Sequence, residues 1–244
     1  MAEPWFVAPP EAWVEREIHL PPEESHHALK VLRVSPPDII TVADGQGTVA
    51  RCSAARVDDG GLVAEIVESE RVPRLRPEIV VYQGAAKGTK VDGVIERLAE
   101  LGAAEACVFS SARAVVRWDD HKLERLSERW RTIARSAAKQ SRSPFVMNAG
   151  GGLSFAELLR RVGKEQLATV LWEEASLPLR TAFVGEAERV ALIVGPEGGL
   201  DRSEAEALAD AGAQLVSLGP RILRTENAAV VAASAVLYHF GLIG

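Results

Sequence analysis

The sequence predicts an α/β protein with two domains: a small β-rich domain, then a larger one with a mostly parallel sheet and helices on both faces. Residues 1–74 contain short, β-branched segments separated by turn residues such as DDGG at 58–61, which is the pattern of a small barrel. From residue 78 onward, strand-like and helix-like segments alternate, which indicates crossover helices between parallel strands. The predicted domains are residues 1–74 and residues 75–244.

In the first domain, the predicted strands are apolar runs in which β-branched residues are frequent and which end at Gly or Asp. They are the segments 5–8, 17–20, 38–44, 48–57 and 62–72. A helix over residues 22–33, PEESHHALKVLR, interrupts these strands. The segment PRLRPE at 73–78 is the predicted linker to the second domain.

In the second domain, short apolar runs alternate with segments whose apolar residues recur every three to four positions. The predicted strands are the segments 78–84, 105–111, 166–172, 189–195 and 213–219. The predicted helices are the segments 91–102, 119–141, 153–163, 203–212 and 226–241. We expect the glycine run at 150–152 to form a loop.

Composition and charge favour a cytoplasmic protein with one basic region. The 244 residues carry a net charge of −6, but residues 76–150 carry +4, whereas 1–75 carry −6 and 151–244 carry −4. The two cysteines have no metal-ligand spacing, no apolar run is long enough for a membrane span, and no targeting segment is evident. The sequence therefore predicts no metal and no membrane partner, and a local basic patch for a polyanion.

Two loops of the second domain follow predicted strands and share a Gly-Pro pattern. The first is GPEGG at 195–199, followed by Asp201 and Glu204 in a capping-box spacing. The second is LGPRILR at 218–224, with a helix start at Thr225. Ligands bind at the carboxyl ends of parallel strands, so the two loops are candidates for the walls of one pocket; a pair of tight turns is the alternative. Neither loop is a P-loop or carries GxSxG, and no GxGxxG follows the first α/β strand.

Three further segments accompany these loops: HHALKVLR at 26–33, IERLAELG at 95–102 and AAKQSR at 137–142. Together with the loops, they resemble the bacterial 16S rRNA (uracil-N3)-methyltransferase family of the SPOUT class. The resemblance covers nearly the whole chain. It implies a PUA-like RNA-binding barrel at 1–74, a SPOUT-like domain with a trefoil knot at 75–244, S-adenosylmethionine (SAM) as cofactor, 16S rRNA of the small ribosomal subunit as substrate, and a homodimer. The family commonly has threonine where this chain has Ala99 and Asn227.

The cofactor site is expected in and around the two loops, where main-chain groups and apolar side chains hold the ligand. The predicted cofactor-binding residues are Leu171, Gly195, Pro196, Glu197, Gly198, Gly199, Leu218, Gly219, Ile222, Leu223, Asn227 and Ala228.

A basic helix is the main candidate for RNA contact. Arg131, Arg135 and Lys139 form an i, i+4, i+8 row along the helix predicted at 119–141, and phosphates would supply their counter-charge. A solvated helix face is the alternative. The full set of predicted RNA-binding residues is Lys30, Arg33, Arg113, Arg131, Arg135, Lys139 and Arg142.

The implied reaction predicts three catalytic residues. When uracil N3 loses its proton, negative charge develops on the two carbonyl oxygens, and a fixed cation stabilises it. Arg224 is the predicted cation; the alternative is an ion pair of Arg224 with Glu197 or Glu226. Those two carboxylates are the candidate proton acceptors, with water as the other candidate.

Two other functions remain open at this point. The departures at Ala99 and Asn227 favour a non-catalytic RNA-binding or ribosome-assembly protein that kept the fold. An α/β enzyme acting on an unrelated small molecule is the third hypothesis, and the basic helix and the β-rich domain argue against it.

Overall fold

The computed structural model describes residues 3–114, 116, 118–183 and 185–244. The chain divides into two compact units, Met1–Arg74 with Arg135–Val146, and Leu75–Ala134 with Met147–Gly244. The sequence predicted residues 135–146 as part of the second domain, but they group with the first unit. The reason is local bonding, since the Gly47 amide donates to the Pro144 carbonyl at 3.0 Å.

The first unit is built on a six-stranded sheet that carries one short helix. Its strands are β1 (Trp5–Val7), β2 (Trp13–Val14), β3 (Glu17–His19), β4 (Ile39–Ala43), β5 (Thr48–Asp58) and β6 (Gly61–Arg71), in the order β1-β4-β5-β6-β3-β2. Among the described strands of this unit, only the β1–β4 pair is parallel. Helix α1 (Pro22–His26) continues into a π-helical segment, His27–Leu32, which ends at Arg33 in the left-handed conformation.

The second unit contains a parallel sheet, as predicted, with six strands where the sequence predicted five. Its strands are β7 (Glu78–Gly84), β8 (Glu105–Phe109), β9 (Asn148–Leu153), β10 (Leu167–Leu171), β11 (Arg189–Val194) and β12 (Gln214–Val216), in the order β12-β10-β11-β7-β8-β9. Its helices are α2 (Lys90–Glu100), α3 (Asp120–Ser141), α4 (Phe155–Val162), α5 (Arg202–Asp210) and α6 (Thr225–His239), of which α3 runs on into the first unit.

The helices of the second unit cover both faces of its sheet. Because successive side chains of a strand point to opposite faces, Val80 and Tyr82 pack on the side of α4 and α5, in one apolar cluster with Leu158 and Leu208. Helices α2 and α6 contact each other, and α6 contacts β7 and β11. In the described part of the chain, no helix is long and apolar enough to cross a membrane.

Strand β9 corrects the prediction that the glycine run at 150–152 is a loop. The glycines belong to an edge strand paired with β8, and helix α3 packs directly on Gly151 and Gly152. A Cβ at Gly151 would lie 2.8 Å from Trp130 Cζ3, and one at Gly152 would lie 2.6 Å from Leu123 Cδ2. Gly151 and Gly152 are therefore required by the close approach of the helix rather than by a turn.

Candidate active site at the carboxyl edge of the sheet

Two adjoining clefts open at the carboxyl ends of β10, β11 and β12. The first, of about 330 Å³, lies between the loop after β11 and the start of α6. The second, of about 300 Å³, is lined mainly by residues 217–223, which follow β12. Leu171, Glu173, Ile222, Leu223 and Ala228 line both clefts. The two Gly-Pro loops thus form walls of one continuous site.

The structure brings ten of the twelve predicted cofactor residues to these clefts. They are Leu171, Gly195, Pro196, Glu197, Gly199, Leu218, Gly219, Ile222, Leu223 and Ala228. Gly198 and Asn227 line neither cleft. The α-hydrogen side of Gly198 faces the neighbouring loop, because a Cβ there would lie 3.0 Å from the Arg113 carbonyl oxygen, and Asn227 is exposed on α6.

A buried hydrogen-bond network joins the two loops to the end of β7. The Gln83 amide nitrogen donates to Thr225 Oγ1 at 2.8 Å, and the Thr225 hydroxyl donates to the Gly195 carbonyl at 2.6 Å. Gln83 and Thr225 are both buried, so each bond is worth more than at the surface. No sequence pattern indicated a role for Gln83, which lies 142 positions from its partner Thr225.

Gly84 allows the end of β7 to approach the first Gly-Pro loop. A Cβ at this position would lie 2.6 Å from Pro196 Cδ and 2.7 Å from the Gly195 carbonyl carbon. Backbone atoms cannot move aside cheaply, so only glycine fits here. Gly84 therefore lets β7 support the first Gly-Pro loop, although it lines neither cleft itself.

Capping residues fix the exit of the first loop. The Asp201 side chain accepts from the Glu204 amide, and the Glu204 carboxylate accepts from the Asp201 amide, which confirms the predicted capping box. The second Glu204 oxygen accepts from the Ala112 amide at 2.7 Å. The buried Glu204 thus attaches residues 110–114 to the loop that ends at α5.

Glu197 is bound to the segment that leads into α2. Its Oε1 accepts from the Lys87 amide at 2.9 Å and lies 3.1 Å from Lys90 Nζ. Partial burial raises the pKa of Glu197, but the hydrogen bonds from Lys87 and Lys90 outweigh it, and the pKa lies below its usual value. Lys90 lines the first cleft and was not among the residues predicted from the sequence.

Arg224 and Glu226 lie at the start of α6, on the first cleft. Arg224 is exposed, and it makes no ion pair within 4.0 Å with any described carboxylate. The alternative pairing with Glu197 or Glu226 is therefore not formed. Glu226 Oε2 is enclosed and has no hydrogen-bond partner among the described residues. The first cleft thus contains an exposed arginine without an ion pair and a glutamate with one enclosed, unsatisfied oxygen among the described residues.

The predicted RNA-binding residues differ in how far their charges are already engaged. Lys139 Nζ lies 3.0 Å from Oε1 of the buried Glu24, so this lysine serves an internal ion pair. The neighbouring Arg129 is paired with Asp92 at 2.7 Å. The other predicted residues are exposed: Lys30, Arg33, Arg113, Arg131, Arg135 and Arg142.

No group of three or more His, Cys, Asp or Glu side chains that could hold a metal ion occurs among the described residues. The adjacent His26 and His27 point in different directions, and the His27 ring packs edge-on against Phe6 at 6.3 Å.

Residues 73–237 match a family model described as an RNA methyltransferase domain. The chain is also 38% identical over 218 residues to ribosomal RNA small subunit methyltransferase E of Mycobacterium bovis, with 88% of this chain and 83% of that protein covered. This chain belongs to the ribosomal RNA small subunit methyltransferase E family.

Two solved structures support the same assignment. Ribosomal RNA small subunit methyltransferase E from Neisseria gonorrhoeae, bound to S-adenosyl methionine, superimposes with a TM-score of 0.84 at 27% identity and covers 97% of this chain and 98% of its own. A Legionella pneumophila protein in complex with the bound cofactor SAM gives a TM-score of 0.88 at 28% identity, with 98% of both chains covered. The sequence resemblance to this rRNA methyltransferase family is confirmed.

Proposed function

We propose that this protein transfers the methyl group of SAM to N3 of a uridine in 16S rRNA of the small ribosomal subunit, in the bacterial cytoplasm. The observation that carries the proposal is the pair of clefts with one shared wall, apolar at one end and charged at the other. Family membership shows the rRNA methyltransferase class. The charged cleft supports N3 of uridine as the atom that accepts the methyl group. A protein that only binds RNA has no use for the buried Gln83, Thr225 and Gly195 network that shapes this site.

The residues present fit SAM, which supplies an electrophilic methyl group when bound. The second cleft offers Leu218, Ile222 and Leu223 together with the main chain of Gly219, a combination suited to a flat ring whose edge is read by backbone groups. Gly84 lets β7 pack closely against the first loop, and Gly219, where a Cβ would meet no described atom within 4 Å, leaves its main chain open to a ligand. Glu173 lies at the junction of the two clefts, where it is placed to accept hydrogen bonds from hydroxyl or amino groups.

The first cleft supplies the groups that the acceptor base needs. Uracil N3 becomes nucleophilic when its proton leaves, and the resulting charge spreads to the two carbonyl oxygens. Arg224 is placed at the cleft to stabilise that charge. Of the two candidate carboxylates, Glu226 has an unengaged oxygen, whereas Glu197 is held by Lys87 and Lys90. We therefore favour Glu226 as the proton acceptor.

RNA contact is proposed for the exposed basic residues, with phosphates as the main ligands. They are Lys30, Arg33, Arg113, Arg131, Arg135 and Arg142. Lys139 is proposed to stabilise the first unit through its ion pair with Glu24 rather than to bind a phosphate. The target uridine must be unstacked to enter a cleft, so a loop or bulge of the rRNA is the expected site.

Three architectural features of the family are proposed for this chain as well. The insertion of β11 between β10 and β7 supports a trefoil knot. The mixed six-stranded sheet of the first unit supports a PUA-like barrel. The exposed apolar residues Ile222, Val231 and Tyr238, in and before α6, support a homodimer formed through this helix.

Mapping of 16S rRNA by mass spectrometry tests the proposal. In cells that lack this protein, one uridine should lose an N3-methyl group, and a plasmid copy should restore it. An unchanged modification pattern would favour the non-catalytic RNA-binding alternative. A methyl group lost from another base or atom would keep the methyltransferase but refute N3 of uridine.

A further inference from the structure

We infer that Lys90, held in place by Glu197, is a second cation of the acceptor site and binds one uracil carbonyl oxygen while Arg224 binds the other. This inference rests on the proposed function. It assigns a catalytic role to a residue that the sequence did not indicate, and a positioning role to Glu197 in place of proton transfer.

The geometry of the acceptor explains why two cations are needed. The lone pair of N3 lies in the plane of the ring, between the two carbonyl oxygens, and the methyl carbon must approach along that direction. A single guanidinium that bridged both oxygens would stand in the path of the methyl group. Charge stabilisation and in-line attack are compatible only if each oxygen has its own donor.

The first cleft contains two suitable groups. Among its described lining residues, Lys90 and Arg224 are the only basic side chains. They belong to different elements, because Lys90 is the first residue of α2 and Arg224 immediately precedes α6. Groups carried on two elements are able to reach the two sides of one planar ring.

The Glu197 contacts fix Lys90 in the cleft and leave it donors to spare. An ammonium has three N–H donors, and one of them is directed to Glu197 Oε1 at 3.1 Å. That oxygen is itself held by the Lys87 amide at 2.9 Å. A backbone amide and an ammonium on one oxygen stabilise the charged form of the carboxylate, so they make Glu197 a poor proton acceptor at either oxygen.

The remaining groups of the cleft account for every proton, bond and electron pair in the methyl transfer. The N3–H proton passes to the Glu226 carboxylate, and N3 forms a bond to the methyl carbon. The bond between that carbon and sulfur breaks with its electron pair left on sulfur. The charge on the two carbonyl oxygens exists only between loss of the proton and formation of the N–C bond, so Lys90 and Arg224 stabilise the transition state more than the bound substrate.

Single-turnover methylation at saturating SAM and RNA tests the role of Lys90. Lys90→Ala should lower the rate constant by about 10²-fold, and a higher pH should restore part of the rate because the uracil anion then forms without help. Lys90→Arg should retain more activity than the alanine variant. Lys87→Ala is the matched control: its side chain does not line the cleft, its backbone amide is kept, and it should behave like the wild type.

A double-mutant cycle tests the positioning role of Glu197. If Glu197 acts through Lys90, Glu197→Gln should cost less than Lys90→Ala, and the double variant should be no worse than Lys90→Ala alone. If the losses in rate constant of the two single variants add in the double variant, Glu197 acts independently of Lys90 and the assignment is overturned. The same holds if Glu197→Gln alone abolishes the fall in rate at low pH, because Glu197 would then be a proton acceptor.

A binding measurement supplies a readout that does not depend on turnover. RNA with 5-fluorouridine at the target position, bound with S-adenosylhomocysteine, reports the ionisation of the base by ¹⁹F NMR. The wild type should lower the apparent pKa of the bound base, and Lys90→Ala should lower it less. Equal pKa values in the two proteins, with normal Lys90→Ala kinetics, would overturn the inference alone. A wild-type protein that leaves N3 unmodified would overturn the proposed function, and this inference with it.

Discussion

Gly84 has no Cβ, and this allows β7 to lie against the first Gly-Pro loop. Gly84→Ala would force the backbone at Gly195 and Pro196 outward, because its Cβ would lie at 2.6 and 2.7 Å from atoms of these residues. We expect SAM affinity to fall at least tenfold, with a protein that still folds. Isothermal titration calorimetry measures this.

The control for this change is Gly150→Ala, since a Cβ at Gly150 meets nothing within 4 Å. Its SAM affinity should match the wild type. If Gly84→Ala binds SAM as well as Gly150→Ala does, the approach of β7 to the first Gly-Pro loop is not part of the cofactor site.

Arg224 is the second residue whose substitution gives a clear expectation. Removal of one charge-stabilising donor costs about 10²–10³ in rate, so Arg224→Ala should lower the single-turnover rate constant by that amount with little loss in SAM affinity. Higher pH should recover part of the rate, and Arg224→Lys should recover only part because an ammonium does not reproduce the planar fork. A normal rate constant with weakened SAM binding would move Arg224 from catalysis to the cofactor site.

At the level of single elements, helix α3 carries both exposed basic side chains and basic side chains that form ion pairs within the protein. Arg131 and Arg135 are exposed, so Arg131→Glu with Arg135→Glu should weaken RNA binding and reduce the slope of log K against log salt by about one per lost phosphate contact. Fluorescence anisotropy at several salt concentrations measures this slope. An unchanged slope would mean that this face of α3 is only solvated.

Lys139 on the same helix is expected to matter for stability. Lys139→Met keeps the aliphatic stem but leaves the buried Glu24 carboxylate without its partner, which costs about 2 kcal/mol in the free energy of unfolding. Urea denaturation measures the change, and adding Glu24→Gln should recover part of it. Equal stability of Lys139→Met and the wild type would show that water replaces the ammonium.

At the scale of the whole molecule, the proposed homodimer depends on the exposed face of α6. Val231 and Tyr238 are 45% and 73% exposed, and glutamate at both positions should halve the mass measured by light scattering and lower methylation activity. Val67→Glu is the control, because Val67 is an equally exposed apolar residue at 55% on β6. A wild type that is already monomeric would refute the dimer.

The sequence predicted the alternation of strands and helices in the second unit because each element has its own apolar period. It missed β9, since a glycine run carries no strand signal and two of its glycines, Gly151 and Gly152, are required by the packing of Trp130 and Leu123. It located the two Gly-Pro loops but not Lys90, whose role depends on Glu197, over a hundred positions away. Likewise, Lys139 was placed in a free basic row, because its pairing with Glu24 spans 115 positions and leaves no local pattern. Local chemistry was readable from the sequence, whereas contacts made by the fold were not.

Methylation of uracil N3 can be measured with purified protein, 16S rRNA or small subunits from cells lacking the protein, and SAM carrying an isotopically labelled methyl group. After digestion to nucleosides, mass spectrometry should find the label in 3-methyluridine, one equivalent per rRNA. Label in another nucleoside would refute N3 of uridine as the acceptor. If the protein binds SAM but labels neither free 16S rRNA nor small subunits, rRNA methylation by this protein is refuted.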